Sequence, residues 1–234
     1  MNRDDDVPSI ALAIYAHPDD PEVSCGGTLV RWARLGAEVH LALVNQGDKG
    51  SSDASSDPDE LGAQRAVEVR AAADVMGVRS VTMLGYPDGE SVNDLELRGS
   101  LVELIRSLRP DVVVCPDPTA LLFGDGYVNH RDHRVAGEAV LDAVAPAAGS
   151  PLYFPKRGPA HAVHTVYLSG TLVPDVWIDI TQSVDAKGAA LACHASQLGG
   201  TGEWVHELVE QRAAEAGRTT GVAFAESFRR LRLG

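Results

Sequence analysis

The sequence predicts an α/β domain, a mostly parallel β-sheet with helices packed on both faces. Three observations predict it. The 234 residues are 44% hydrophobic and 23% charged, enough for one sizeable buried core. Short apolar runs suited to strands buried on both faces alternate with longer segments of helical periodicity. Their spacing is that of repeated strand–helix–strand units, which close into a doubly wound layer structure. The expected architecture is therefore a Rossmann-like three-layer sandwich, with residues 1–234 forming one domain.

Taken in order, residues 10–16 form an unbroken apolar run and are expected as the first strand. Gly26-Gly27 then open residues 28–35, whose apolar positions recur at helical spacing. Residues 38–45 repeat the strand signal. Residues 61–76 are Ala-rich and are stopped by Gly77, a helix with a glycine end. Residues 80–84 are a third strand, and residues 95–108 a helix ended by Arg109-Pro110. The β-branched residues 111–115 give a fourth strand. Residues 135–144 read as a helix, and 163–168 and 176–180 as later strands. Segment 145–159, rich in Ala, Gly and Pro, is expected to be a mobile excursion. The region from Gly199 onward is mixed in pattern and carries no firm element.

Composition narrows the function. Acidic residues exceed basic ones by 33 to 20, a net charge of −13, and no Lys/Arg block interrupts the chain. A polyanion meets a repulsive surface, so nucleic acid is not the expected partner. Cys25, Cys115 and Cys193 are odd in number, far apart and form no CxxC, the pattern of free thiols in a reducing compartment. The start of the chain is acidic where a secretory signal is basic, and no segment holds the roughly twenty apolar residues of a membrane span. A cytoplasmic protein without membrane partners is expected.

Two clusters carry the chemistry. Ala16-His17-Pro18-Asp19-Asp20-Pro21-Glu22 follows the first strand, and His130-Arg131-Asp132-His133 follows the fourth. Sheets of this type place their sites beyond the carboxyl ends of the strands, so both clusters fall on one edge. Together they offer two histidines and a carboxylate for a metal, with acids to spare. Three protein ligands and an open position suit a catalytic zinc, whose bound water has a pKa near ~7. A neighbouring carboxylate can take the proton of that water, and another can orient a histidine. The inventory is that of a hydrolase.

The stretches AHPDDPEVSCGGTLVRWARLGAEV and NHRDHRVAGEAVLDAV strongly resemble the two signatures of the LmbE-like, or PIG-L, family of metal-dependent N-deacetylases. QRAVEVRAAADVMGV, GYPDG and KGAALACHASQ resemble its weaker blocks. The resemblance implies that His17, Asp20 and His133 bind zinc, with iron(II) or another divalent ion as the alternative. It implies Asp19 as the general base, and His130, held by Asp132, as the group facing the oxyanion. Arg65 and Asp88 match its substrate-binding arginine and acid. Some relatives carry a tyrosine two residues before the first histidine of the second signature; Tyr127 stands three before His130 and is assigned no role. The implied reaction removes the N-acetyl or N-acyl group from a small molecule containing an amino sugar, through a metal-bound hydroxide. A homo-oligomer is compatible with the same resemblance.

Other features have plainer readings. Gly26-Gly27 serves helix packing, and His194 packs within or caps a helix. His40, His161, His164 and His206 are structural, and Trp32, Trp177 and Trp204 are too scattered for a stacking platform. Segments 46–59 and 116–129 are expected to shape the pocket. The competing functions are an amidase of a thiol conjugate, a non-haem iron oxygenase, which this fold class argues against, and a catalytically silent sugar-binding domain.

Overall fold

The computed structural model describes residues 2–198 and 204–233. In chain order its strands are β1 (Asn2–Arg3), β2 (Ile10–Tyr15), β3 (Glu38–Asn45), β4 (Ser80–Tyr86), β5 (Val112–Pro116), β6 (Leu122–Phe123), β7 (Tyr127–Val128), β8 (Thr165–Ser169), β9 (Val176–Asp179) and β10 (Ala225–Arg232). Its α-helices are α1 (Asp20–Arg34), α2 (Pro58–Met76), α3 (Leu95–Leu108), α4 (Arg131–Asp142), α5 (Val184–Leu191) and α6 (Trp204–Arg218).

Eight strands form one sheet in the order β1-β9-β10-β8-β5-β2-β3-β4, and β6 and β7 make a separate hairpin. The run β8-β5-β2-β3-β4 is parallel throughout, whereas β10 lies antiparallel to β8 and β9. The α/β class and the mostly parallel sheet are as expected. Strand β2 is the pivot. From it the chain winds through α1 to β3 on one side, and later returns as β5 on the other. Such a reversal leaves a crevice at the carboxyl ends of the two central strands.

Alternation along β2 divides the core. Ala11, Ala13 and Tyr15 face Leu29, Trp32, Val69, Met76, Leu191 and Val209, from α1, α2, α5 and α6. Leu12, Ile14 and Ala16 face Leu97, Leu101, Ile105, Ala136 and Val140, from α3 and α4. Two apolar layers thus clamp the sheet and fix where β2 ends.

Four expectations need correction. Helix α1 begins at Asp20, not at residue 28, and α4 at Arg131, not at 135. Their first turns are the signature residues themselves, polar enough to hide the helical period; Pro21 and the acids Asp20 and Glu22 suit a helix start. Gly26 and Gly27 accordingly lie inside α1. A Cβ on Gly27 would come within 2.7 Å of the Ile180 side chain, so packing is what the glycine serves. In the carboxyl region, β10 enters the sheet although its sequence, Ala-Glu-Ser-Phe-Arg-Arg-Leu-Arg, shows no apolar run. Its Glu226 carboxylate accepts the amide N–H groups of Gly27 and Thr28 and pairs with buried Lys187, tying β10, α1 and α5 together. Residues 199–203, within the stretch read as mixed, lie outside the described residues.

The fourth correction concerns segment 145–159, which is not loose. Arg106, buried on α3, donates to six backbone carbonyls, those of Ala147, Ala148, Ser150, Tyr153, Phe154 and Gly158. Pro and Gly break regular structure, and the guanidinium satisfies the carbonyls left over. Arg106→Met is expected to destabilise the protein by about 3–5 kcal/mol, since several buried acceptors lose their donor at once. Urea unfolding checks this, and a loss under about 1 kcal/mol would contradict the clamp.

Candidate active site

Strand β2 runs out at Tyr15, and the adjoining turn carries His17, Asp19 and Asp20 to the edge of the crevice. Helix α4 starts at the same edge with His130 as its N-cap. The two signatures meet there: His133 Nε2 lies 3.1 Å from Asp20 Oδ1, and His17 Nε2 lies 3.2 Å from Asp132 Oδ2. The rings of His17, His130 and His133 are 5.0 to 5.6 Å apart between centroids.

Asp19 occupies the N-cap position of α1 at a φ of 100°, unusual for a residue other than glycine. Its side chain makes no capping bond. It points instead to the buried Arg65, whose Nη2 lies 3.1 Å from Asp19 Oδ2. Burial, and then the charge of Asp20, raise the Asp19 carboxyl to about 7 against the pull of Arg65. Asp20, one residue on, behaves oppositely. Burial opposes its charge, but bonds to His133 and His17 prevail and hold it ionised well below the usual carboxylate range. Two adjacent aspartates thus differ sharply in how readily they hold a proton.

The histidines are held from behind. The His133 ring is held between two acceptors, with Nδ1 3.0 Å from Asn129 Oδ1 and Nε2 3.1 Å from Asp20 Oδ1. His130 Nδ1 accepts the backbone N–H of Asp132, which places the proton of the neutral ring on Nε2. Burial, then the nearby charge of His17, lower the pKa of His130 despite Asp132. The carboxylate of Asp132 is fully buried; it accepts from Gly89 N–H at 2.6 Å and from the Ser91 hydroxyl. Burial opposes its charge, yet His17 and Gly89 bring it down to about 2. It lies closer to His17 than to His130, 3.2 against 3.6 Å.

These residues fit a divalent cation. His17, His130 and His133 each offer a ligand atom within 4.8 Å of the others, and Asp20 reaches between His17 and His133. Burial disfavours a charge on His17, yet Asp132, Asp20 and Asp88 around it raise its pKa to about 10. The acids therefore favour positive charge at this point, and imidazole with carboxylate is a donor set for zinc and its neighbours.

Arg65 and Asp88 line the same open cleft, of about 410 Å³, together with Asp19, Lys49, His130 and Gln197. Arg65 is not the surface ion pair its helix position would allow. Glycines 47 and 50 press against its guanidinium, where a Cβ would come within 2.7 and 2.4 Å; Gly47 also has a φ of +76°. Asp88 accepts the N–H groups of Gly47 and Lys49, so it fixes segment 46–59 as well as facing the cleft.

Lys49, Gln197 and Asn129 were not singled out by sequence, although the first and third fall in the segments expected to shape the pocket. His194 proves more than helix packing. It is fully buried beside the equally buried Glu22, with 3.4 Å between Nε2 and Oε2, behind the turn that carries Asp19. His40 is structural, bonded to Ser80, and Trp32 is core, packed on Tyr167. Among the described residues all three cysteines are free, and no helix is long and apolar enough to cross a membrane.

Comparison with known proteins shows what the chain as a whole is similar to. Residues 12–144 match the family described as PIG-L, GlcNAc-PI de-N-acetylase. Diacetylchitobiose deacetylase of Thermococcus kodakarensis is 31% identical over 226 residues, covering 93% of this chain and 81% of that protein. A 1D-myo-inositol 2-acetamido-2-deoxy-alpha-D-glucopyranoside deacetylase of Saccharopolyspora erythraea is 33% identical over 192 residues, covering 70% and 68%. The solved structure of N,N'-diacetylchitobiose deacetylase from Pyrococcus horikoshii, complexed with an inhibitor, superposes with a TM-score of 0.87 at 29% identity, covering 96% of this chain and 84% of that one.

Proposed function

Because the chain belongs to the PIG-L family of GlcNAc-PI de-N-acetylases, we propose that it is a metal-dependent deacetylase that hydrolyses the N-acyl amide of a small amino-sugar compound. The observation that carries this reading is the meeting of His17, Asp19 and Asp20 with His130, Asp132 and His133 at one edge of the sheet. The named relatives act on N-acetylated amino sugars, which supports the substrate class.

His17, Asp20 and His133 would hold the ion, with zinc the choice best suited to this donor set. When bound, the ion supplies a positive charge that polarises the amide carbonyl and eases deprotonation of water. Asp19, unligated and with a pKa near neutrality, takes the proton of the attacking water and passes it to the departing amine nitrogen. His130, neutral and carrying its proton on Nε2, donates a hydrogen bond to the developing oxyanion. Asp132 keeps that ring in place through its backbone N–H, donated to Nδ1. Arg65 and Asp88, with Lys49, offer donors and an acceptor to sugar hydroxyls. Water attacks, the C–N bond breaks, and acetate and a free amine leave.

The three free thiols support residence in a reducing compartment, the cytoplasm. An amine-release screen over N-acetylglucosamine derivatives tests the function. Zinc-loaded protein is expected to release amine, a chelator to stop it, and added zinc to restore it. No release from any derivative, or release that a chelator leaves untouched, would contradict the proposal.

A further inference from the structure

The polar cleft is not the only cavity that reaches the histidines. A second, of about 520 Å³, is lined by Tyr15, Val23, Ser24, Pro116, Phe123 and Ser169 among others, and it shares Asp20, Tyr127 and His133 with the cleft. Asp19, Arg65, Asp88 and His130 line the cleft alone. Asp20 and His133, two of the three residues assigned to the ion, therefore stand on the boundary between two chambers of contrasting chemistry, and His17 faces the cleft.

We propose that this second cavity receives the acyl group of the substrate and accommodates chains longer than acetyl. The inference rests on the deacetylase reading and specifies its substrate class. A substrate amide at the boundary has a hydroxyl-rich ring on one side of its nitrogen and an acyl chain on the other. The ring matches the cleft, where Arg65, Asp88, Lys49 and Gln197 present charged and amide groups. The chain matches the second cavity, whose wall includes the Val23, Phe123, Pro116 and Tyr15 side chains.

The polar groups of that wall are largely engaged with protein. The Tyr15 and Ser169 hydroxyls bond each other at 2.7 Å. Asn129 spends its amide on the Ala120 carbonyl and its oxygen on His133. Asp117 Oδ1 accepts from Thr119; its Oδ2 has no hydrogen-bond partner among the described residues and is buried out of reach of a guest. Arg212 stands exposed at the rim. A wall so arranged makes few demands for hydrogen bonds from its guest. Its volume falls within the ~300–1,000 Å³ of small-molecule sites and far exceeds the need of one methyl group.

The test is kcat/KM of the zinc-loaded enzyme for N-acetyl-, N-butanoyl- and N-hexanoylglucosamine, followed by amine release. Each buried methylene is worth roughly a fourfold gain, so the butanoyl compound is expected to match or exceed the acetyl one. Ser24→Phe, which fills the cavity from α1 and lies outside the catalytic set, is expected to lower the butanoyl-to-acetyl ratio about tenfold or more with acetyl turnover retained. Ser24→Leu is expected to act in the same direction more weakly and serves if the phenylalanine variant does not fold. A wild-type ratio below one, or a ratio unmoved by the folded Ser24 variants, would overturn the acyl cavity while leaving deacetylation standing. Failure to release amine even from the acetyl compound would overturn the deacetylase reading, and the acyl cavity with it.

Discussion

Asp19→Asn is expected to keep the metal content and the melting temperature of the wild type while turnover falls about 10²- to 10⁴-fold, the range for removing a general base. The substitution isolates the proton-transfer role for a structural reason. Asp19 holds a positive φ, and asparagine is among the few side chains that tolerate such a backbone. The turn that presents Asp20 is therefore preserved, whereas alanine would add backbone strain. Asparagine can still accept from Arg65, 3.1 Å away in the native pair, but it cannot take a proton. Steady-state amine release and elemental analysis of the same preparation check both halves. Turnover within about threefold of the wild type would remove Asp19 from the base position.

His133→Ala is expected to lose metal and activity together, with turnover down about 10³-fold or more, because the ion contributes several kcal/mol and each 1.36 kcal/mol is tenfold. Its imidazole faces Asp20 at 3.1 Å and is anchored by Asn129, so the substitution removes a donor already positioned beside that carboxylate. The fold should survive, since the side chain is part-exposed at the cleft and lies outside both apolar layers. Far-ultraviolet circular dichroism would then match the wild type. A variant that binds metal at full stoichiometry would show that His133 is not a ligand. Asp19→Asn and His133→Ala thus separate the two roles, since one retains the ion and the other does not.

The sequence revealed the sheet because parallel strands buried on both faces must be continuously apolar, as in Ile10–Tyr15 and Val112–Pro116. It also placed His17, Asp20 and His133 on one edge, since the end of an apolar strand is readable where polar residues succeed it. The helix starts were harder. The first turns of α1 and α4 carry the polar residues of the site and interrupt the apolar period by which helices are recognised. Partnerships that span the chain left no local signal: Arg106 under segment 145–159, Glu226 on α1, and Glu22 against His194 each join residues distant in sequence. Strand β10 carries little local signal because its own side chains are largely charged, and its burial comes from pairing antiparallel with the mostly apolar β8 and β9.

The central claim is that the turn after β2 and the start of α4 together grip one divalent ion. Anomalous diffraction at the zinc edge, from crystals of the protein supplied with zinc, tests it most directly. One strong peak within coordination distance of His17, Asp20 and His133, facing the cleft of Arg65 and Asp88, is the result predicted. A peak elsewhere, or none at full occupancy of those side chains, would contradict it.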